Sequence, residues 1–259
     1  MPQDNRQSVG SKAGRKAGSK AGSKAGSKDR FEMSWFGTYI RSSIGAKHIM
    51  AVTGLLLFVF AIVHMLGHLQ MFGGQDVYNR YAHFLQELWE VKWPVRAGLL
   101  ALLIIHIVIA IGLVARNRQA RPVGYAKYKP VVSSPLGRAM AWTGMSVFGF
   151  LAFHILHFTL GQVQPRYFPA MGPGGRWDAY SMFVHGFQNP AIYGIYLAGI
   201  ALVAMHLGHG AASWMQSLGL RHPKYPADRL GRTLAVVLFV GYMVPPTAVL
   251  IGLLTLPGS

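Results

Sequence analysis

The sequence predicts an all-α integral membrane protein with five transmembrane helices, the first four forming a bundle. Two observations carry this. Five apolar stretches, about 44–71, 94–116, 136–161, 189–215 and 231–256, are each long enough to cross a bilayer, for which roughly 20 residues suffice. Each of the first four holds a histidine deep inside it: His64, His106, His154 and His206. Of 259 residues, 52% are hydrophobic, which leaves little mass for a soluble domain. One membrane domain over 31–259 follows, preceded by a tail over 1–30.

The tail repeats Ser-Lys-Ala-Gly at Ser11–Gly14, Ser19–Gly22 and Ser23–Gly26. Small and cationic residues cannot build a core, so disorder is expected. The tail is too long and too polar for a signal peptide. Phe31–Ile40, with Trp35 and Tyr39, suits a short interfacial helix leading into span one. In the first loop, about 72–93, Tyr78, Tyr81, Ala82, Leu85 and Leu88 recur at helical spacing. The third loop, about 162–188, is broken by Pro165, Pro169 and Pro173, and its end, Asp178–Phe187, reads as a surface helix. Both loops exceed what a plain connection needs and are placed to roof something. Span five holds Pro245-Pro246 in place of histidine, which predicts a kink and a peripheral, supporting role.

A net charge of +17 raises nucleic acid as a partner, but its distribution speaks against that. The excess lies in the tail and in two loops: Arg116, Arg118, Arg121, Lys127, Lys129 and Arg138 in the second, and Arg221, Lys224, Arg229 and Arg232 in the fourth. The first loop has Arg80, Lys92 and Arg96 offset by Asp76, Glu87 and Glu90, and the third has Arg166 and Arg176. Positive-inside bias then places the N-terminus in the cytoplasm and the C-terminus outside. Trp89, Trp93, Trp142 and Trp214 fall near span ends, as an aromatic belt requires. There is no cysteine, which excludes iron–sulfur clusters, covalent c-type haem and disulfides for this chain.

Odd spans run outward and even spans return. At 1.5 Å per residue, His64 lies ~30 Å and His154 ~27 Å from the inner end, against ~15 Å for His106 and ~14 Å for His206. Two levels emerge, an outer pair His64/His154 and an inner pair His106/His206. A lone buried histidine is most often a satisfied structural residue. Four of them, one per helix and matched in depth over alternating directions, fit the axial ligands of two non-covalent b haems.

His68, His157 and His209 stand one turn from three of these ligands, as alternative ligands or as contacts to propionate or quinone. One-turn spacing also suits zinc or copper, but no carboxylate or cysteine accompanies it inside the spans. His48, His83, His185 and His222 sit near span ends or in loops. Gly54, Gly112, Gly144, Gly149 and Gly199 let helices or a macrocycle approach closely, and plain packing is the commoner reason.

These residues resemble the cytochrome b membrane anchor of succinate:quinone oxidoreductases, in its single-anchor, five-helix, two-haem type. The likeness covers about Ser42 to Leu256. It rests on Ser43-Ile44-Gly45-Ala46-Lys47, His64-Met65-Leu66-Gly67-His68-Leu69, Gly144 ten residues before His154, His206-Leu207-Gly208-His209-Gly210, Gln216-Ser217-Leu218-Gly219-Leu220 and His222-Pro223-Lys224-Tyr225. No one motif is specific; their order and spacing together are. The resemblance implies two b haems, the distal one on spans one and three and the proximal one on spans two and four. It also implies a bacterial cytoplasmic membrane, a flavoprotein and an iron–sulfur subunit docked on the basic cytoplasmic face, and menaquinone as acceptor.

Two departures stand out. His68 occupies a place where relatives often carry Asn, and Ala204 one where some fumarate-reducing relatives carry Glu. The second favours succinate oxidation. The expected electron route is inner haem, outer haem, then quinone near the outer face, with His68, His83, Glu87, Glu90, Trp93 and Arg96 as quinone-site candidates. No GxGxxG follows a strand, so succinate chemistry belongs to a partner subunit. The competing readings are a cytochrome b of another oxidoreductase, of hydrogenase or formate dehydrogenase type, and a transporter with a histidine proton relay.

Overall fold

A computed structural model describes residues 35, 37–120, 123, 134–168, 172, 177–220, 224 and 226–258. The repeats of the tail, Arg121, Lys127, Lys129, Arg176 and His222 lie outside the described residues. The chain divides into two units, Met1–Ser42 and Ser43–Ser259. In the first, residues 35 and 37–41 are helical, running one residue past the segment expected to form the interfacial helix.

The second unit is an all-α membrane protein. Its helices are α1 (Ser43–Leu69), α2 (Gln75–Glu87), α3 (Trp89–Gln119), α4 (Pro135–His154), α5 (Ala179–Phe187), α6 (Pro190–Ser217) and α7 (Ala227–Leu250). Five of them, α1, α3, α4, α6 and α7, are long and apolar enough to cross a membrane. No β-strand occurs among the described residues. Val108 and Ile111 on α3 are 61% and 64% exposed, a surface that in water would aggregate and in lipid is at home.

Local chemistry explains the helix limits. Ser134 caps α4 by accepting from the Gly137 N–H, with Pro135 at the first helical position, where its missing N–H costs nothing. Asn189 caps α6 in the same way, ahead of Pro190. α6 ends at Gly219 (φ +73), where the Leu220 N–H reaches the Met215 carbonyl (2.8 Å) and the Gly219 N–H that of Gln216 (3.2 Å). That is a Schellman cap, and it accounts for the Gly in Gln216–Leu220. α7 stops likewise at Gly252 (φ +77), with Leu253 N–H bonded to Ala248. Span five was expected to run to 256. The glycine cap ends it at Leu250 although the sequence stays apolar beyond. One helix runs through Pro245 and Pro246.

α1, α3, α4 and α6 stand as the corners of a bundle. α1 packs on α3 and on α6, and α4 packs on α6, while α3 and α4 touch more lightly. The diagonals are therefore α1 with α4 and α3 with α6. α7 lies along α6 and α1. It crosses α6 at Gly208 and Gly231, where a Cβ on Gly208 would stand 2.7 Å from the Gly231 carbonyl oxygen and 2.6 Å from the Ala235 Cβ. Only small residues allow that approach. The fifth helix does more than support: it sets Tyr242 beside His64 (ring centroids 6.3 Å) and bonds its hydroxyl to the Ala61 carbonyl at 2.6 Å.

α2 and α5 close one end of the bundle. The expectation of a surface helix at Asp178–Phe187 is corrected. Asp178 caps α5, but Tyr180, Phe183, Val184 and Phe187 are buried against Met71, Tyr78, Tyr196 and Met243. A nine-residue helix this apolar gains more by covering the bundle end than by lying wet on it. Asp178 is 6% exposed and joins the two loop helices. Its carboxylate accepts from Gln75 Nε2 (2.8 Å), Asn79 Nδ2 (2.8 Å), the Ser181 hydroxyl (2.7 Å) and the Ser181 N–H (3.0 Å).

Candidate functional site

The bundle brings the four deep histidines together as two pairs, each across a diagonal. His64 on α1 faces His154 on α4, with ring centroids 5.9 Å apart and planes at 81°. His106 on α3 faces His206 on α6, at 6.5 Å and 75°. Imidazoles bound to opposite sides of one metal, each nitrogen roughly 2 Å from it, hold their centroids about 6 Å apart. Both pairs meet that spacing. Among the described residues no group of three or more His, Cys, Asp or Glu side chains gathers as a metal site. Two imidazoles per level are what a porphyrin iron takes from protein, since the macrocycle fills the other four positions.

Hydroxyls from the neighbouring helices orient the inner pair. Thr53 Oγ1 lies 3.1 Å from His106 Nδ1 and donates its proton to the Ile49 carbonyl at 2.8 Å. A hydroxyl has one proton, so towards His106 it can only accept. With the hydroxyl proton so placed, Nδ1 carries the hydrogen and Nε2 keeps its lone pair. Thr143 repeats this on the facing helix, 3.2 Å from His206 Nδ1 with its proton on the Met140 carbonyl. Next to each threonine a glycine makes room. A Cβ on Gly54 would stand 3.2 Å from His106 Cε1, and one on Gly144 3.3 Å from His206 Cε1. Gly199 accommodates the Phe150 ring, whereas Gly112 and Gly149 face open space.

Thr53-Gly54 precedes His64 as Thr143-Gly144 precedes His154, with the histidine ten residues after the glycine in both. Each of α1 and α4 thus receives one imidazole from an even span and offers its own about 15 Å further along the axis. Sequence reasoning noted Gly144 and missed the threonines. The twice-repeated Thr-Gly-x9-His pattern was the signal that could have found them.

The His64/His154 level is richer. His154 Nδ1 lies 3.3 Å from the Tyr196 hydroxyl, which is also 3.1 Å from His157 Nδ1. His157 Nε2 is 2.8 Å from Gln164 Oε1. A π-helical segment, Ile155–Thr159, carries His157 into this buried position. His68 Nδ1 is 2.9 Å from the Tyr78 hydroxyl, and its Nε2 is 3.3 Å from that of His64, so both nitrogens converge on one region. Tyr78 lies outside the spans, and burial holds its phenol above the usual range, in the neutral, hydrogen-bonding form. Phe158 and Phe183 stack beneath α2 and α5 (6.0 Å, 18°) and complete the roof.

Of the quinone-site candidates, His68 joins this cluster and the others do not. His83 pairs with Glu87 (3.4 Å) on the rim of α2, Arg96 lies over the Trp93 ring (5.4 Å) at the start of α3, and Glu90 is exposed beside them. His209 stands near the start of α4, its Cε1 3.1 Å from where a Gly137 Cβ would be, one turn beyond His206. No family model, no curated protein and no solved structure matches this chain.

Proposed function

We propose that this chain is the dihaem cytochrome b anchor of a succinate:quinone oxidoreductase in a bacterial cytoplasmic membrane. The observation that carries the reading is the pair of diagonal imidazole sets, each at bis-histidine spacing, with Nδ1 of His106 and His206 held by a threonine so that Nε2 is free. Metal-ligating histidines commonly give their other ring N–H to such a hydrogen-bond acceptor. His106 and His206 would hold the inner haem, and His64 and His154 the outer one. When bound, the two groups supply one-electron transfer along the bundle axis.

The chain's own residues hold the ligand rings, exclude water from the roofed end and keep the two levels about 15 Å apart. Succinate oxidation falls to a flavoprotein and an iron–sulfur subunit on the basic face, and the electrons pass to a membrane quinone, menaquinone in this reading. The assembly itself belongs to an oligomeric complex.

A reduced-minus-oxidised spectrum of the protein purified from its membrane tests this. Two b-type components are expected, together with a co-purifying flavin subunit. His106→Ala should remove one and leave the other. A colourless protein would overturn the reading in favour of a histidine-relay transporter. Two haems without flavin would point to the cytochrome b of a different oxidoreductase.

A further inference from the structure

Three hydrogen bonds link Gln164 to His154 through His157 and Tyr196, and their polarity can be worked out one proton at a time. This rests on the reading of His154 as an iron ligand. Gln164 Oε1 is a carbonyl oxygen and only accepts. His157 Nε2, 2.8 Å away, must therefore carry hydrogen. A neutral imidazole has one N–H, which leaves His157 Nδ1 bare. The Tyr196 hydroxyl, 3.1 Å off, donates to it. Its proton spent there, the Tyr196 oxygen accepts from His154 Nδ1 at 3.3 Å. His154 then holds its hydrogen on Nδ1 and a lone pair on Nε2.

The opposite polarity would begin with the amide nitrogen of Gln164 donating to His157 Nε2. Each bond would then reverse, and hydrogen would end on His154 Nε2, where iron must bind. The acceptor at the far end thus decides whether His154 can act as a ligand. We infer that Gln164, His157 and Tyr196 are positioning residues that lock the His154 tautomer and tune the outer haem, with the direction set by Gln164 in the loop after α4.

The geometry is specific to this purpose. The π-helical segment brings His157 under Tyr196, and the Phe158 ring lies 4.1 Å from the His157 ring, tilted by 32°. His157 is 4% exposed, whereas Gln164 is only half-buried. A ligand whose N–H finds an acceptor gives more electron density to the metal and favours the oxidised iron. The inner pair reaches the same state through two threonines bonded to their own helices. The outer ligand is set from a loop more than a turn away.

The test is a redox titration of both haems in the purified complex, comparing wild type with Tyr196→Phe and Gln164→Leu. Tyr196→Phe should raise the outer haem potential by about 59 mV, the equivalent of a tenfold loss of preference for ferric iron in a one-electron couple. The inner potential should stay fixed. Gln164→Leu, at a half-buried loop position, should shift the outer haem in the same direction by less. If both haems remain and the outer potential is unmoved in Tyr196→Phe, the relay is wrong. Should that variant not assemble, Gln164→Leu decides: an upward shift confined to the outer haem supports the relay, and no shift overturns it. Equal shifts at both haems also overturn it. A wild-type complex without haem sinks the functional reading itself, an outcome distinct from haems that ignore the substitutions.

Discussion

At the scale of single residues, the site depends on where one hydrogen sits on each ring. Thr53 and Thr143 fix it for His106 and His206 because their own protons are committed to backbone carbonyls. Thr53→Val keeps the shape and removes one acceptor from the His106 ring, which also bonds the Met50 backbone, at a cost of about 0.5–1.5 kcal/mol. On the dihaem reading proposed above, haem retention at the His106/His206 level should fall roughly 10-fold, read as haem per protein after purification, with the other level unaffected. Glycines give a sharper contrast. Gly54→Ala sets a methyl 3.2 Å from the His106 ring and should displace it, abolishing one b-type component. Gly112→Ala meets nothing within 4 Å and should leave the spectrum alone, while adding about 0.5–1 kcal/mol of helix stability in a thermal melt. The sequence offered all five glycines as equals. Only packing distinguishes those that receive an imidazole from those that face lipid.

At the scale of elements, the spans were legible because hydrocarbon demands long apolar runs, and their ends move only where capping chemistry intervenes, as at Gly252. The loop helices were legible as helices and not as a lid. Periodicity places Tyr180, Phe183 and Phe187 on one stripe but cannot say that the stripe meets Met71 and Tyr196. Asp178 is what fastens the lid. Burial pushes its carboxyl up, and the bonds from Ser181, Asn79 and Gln75 outweigh burial and hold it below the ordinary value. The folded pKa is depressed, so the stabilisation is fully present above the unfolded value and is lost as pH falls through the lower folded one. Hydrogen exchange of α2 and α5 should thus be constant, after correction for intrinsic rates, from pH 7 down to about 5, with protection lost only below roughly pH 4. Asp178→Ala leaves four donors facing an apolar gap. It should cost about 3 kcal/mol locally, speeding exchange in both helices on the order of 100-fold at pH 7. Equal protection in wild type and variant would mean that apolar contact alone holds the lid.

For the molecule as a whole, counting residues from span ends was enough to sort four histidines into two levels, because helix rise is fixed and directions alternate. Depth does not say which helices are neighbours. The diagonal arrangement, with α1 and α4 each carrying Thr-Gly at one level and His at the next, came only from packing. This architecture gives the bundle two unlike ends. Near Thr53 and Thr143 lie the start of α1, the end of α3 with Arg116 and Arg118, the start of α4 with Arg138, and the start of α7 with Arg229 and Arg232. At the other end α2 and α5 form the lid. Each cation near an anionic leaflet is worth about 1 kcal/mol, so the summed bias predicts a cytoplasmic basic end. Alkaline phosphatase fused after Leu256 should therefore be active, and a fluorescent protein fused there dark. The same fluorescent protein inserted after Val123 should shine. The reverse pattern would turn the lid inward. It would place His64 and His154 nearest the cytoplasm and turn the basic end, with His106 and His206, outward, beyond the reach of a cytoplasmic electron donor.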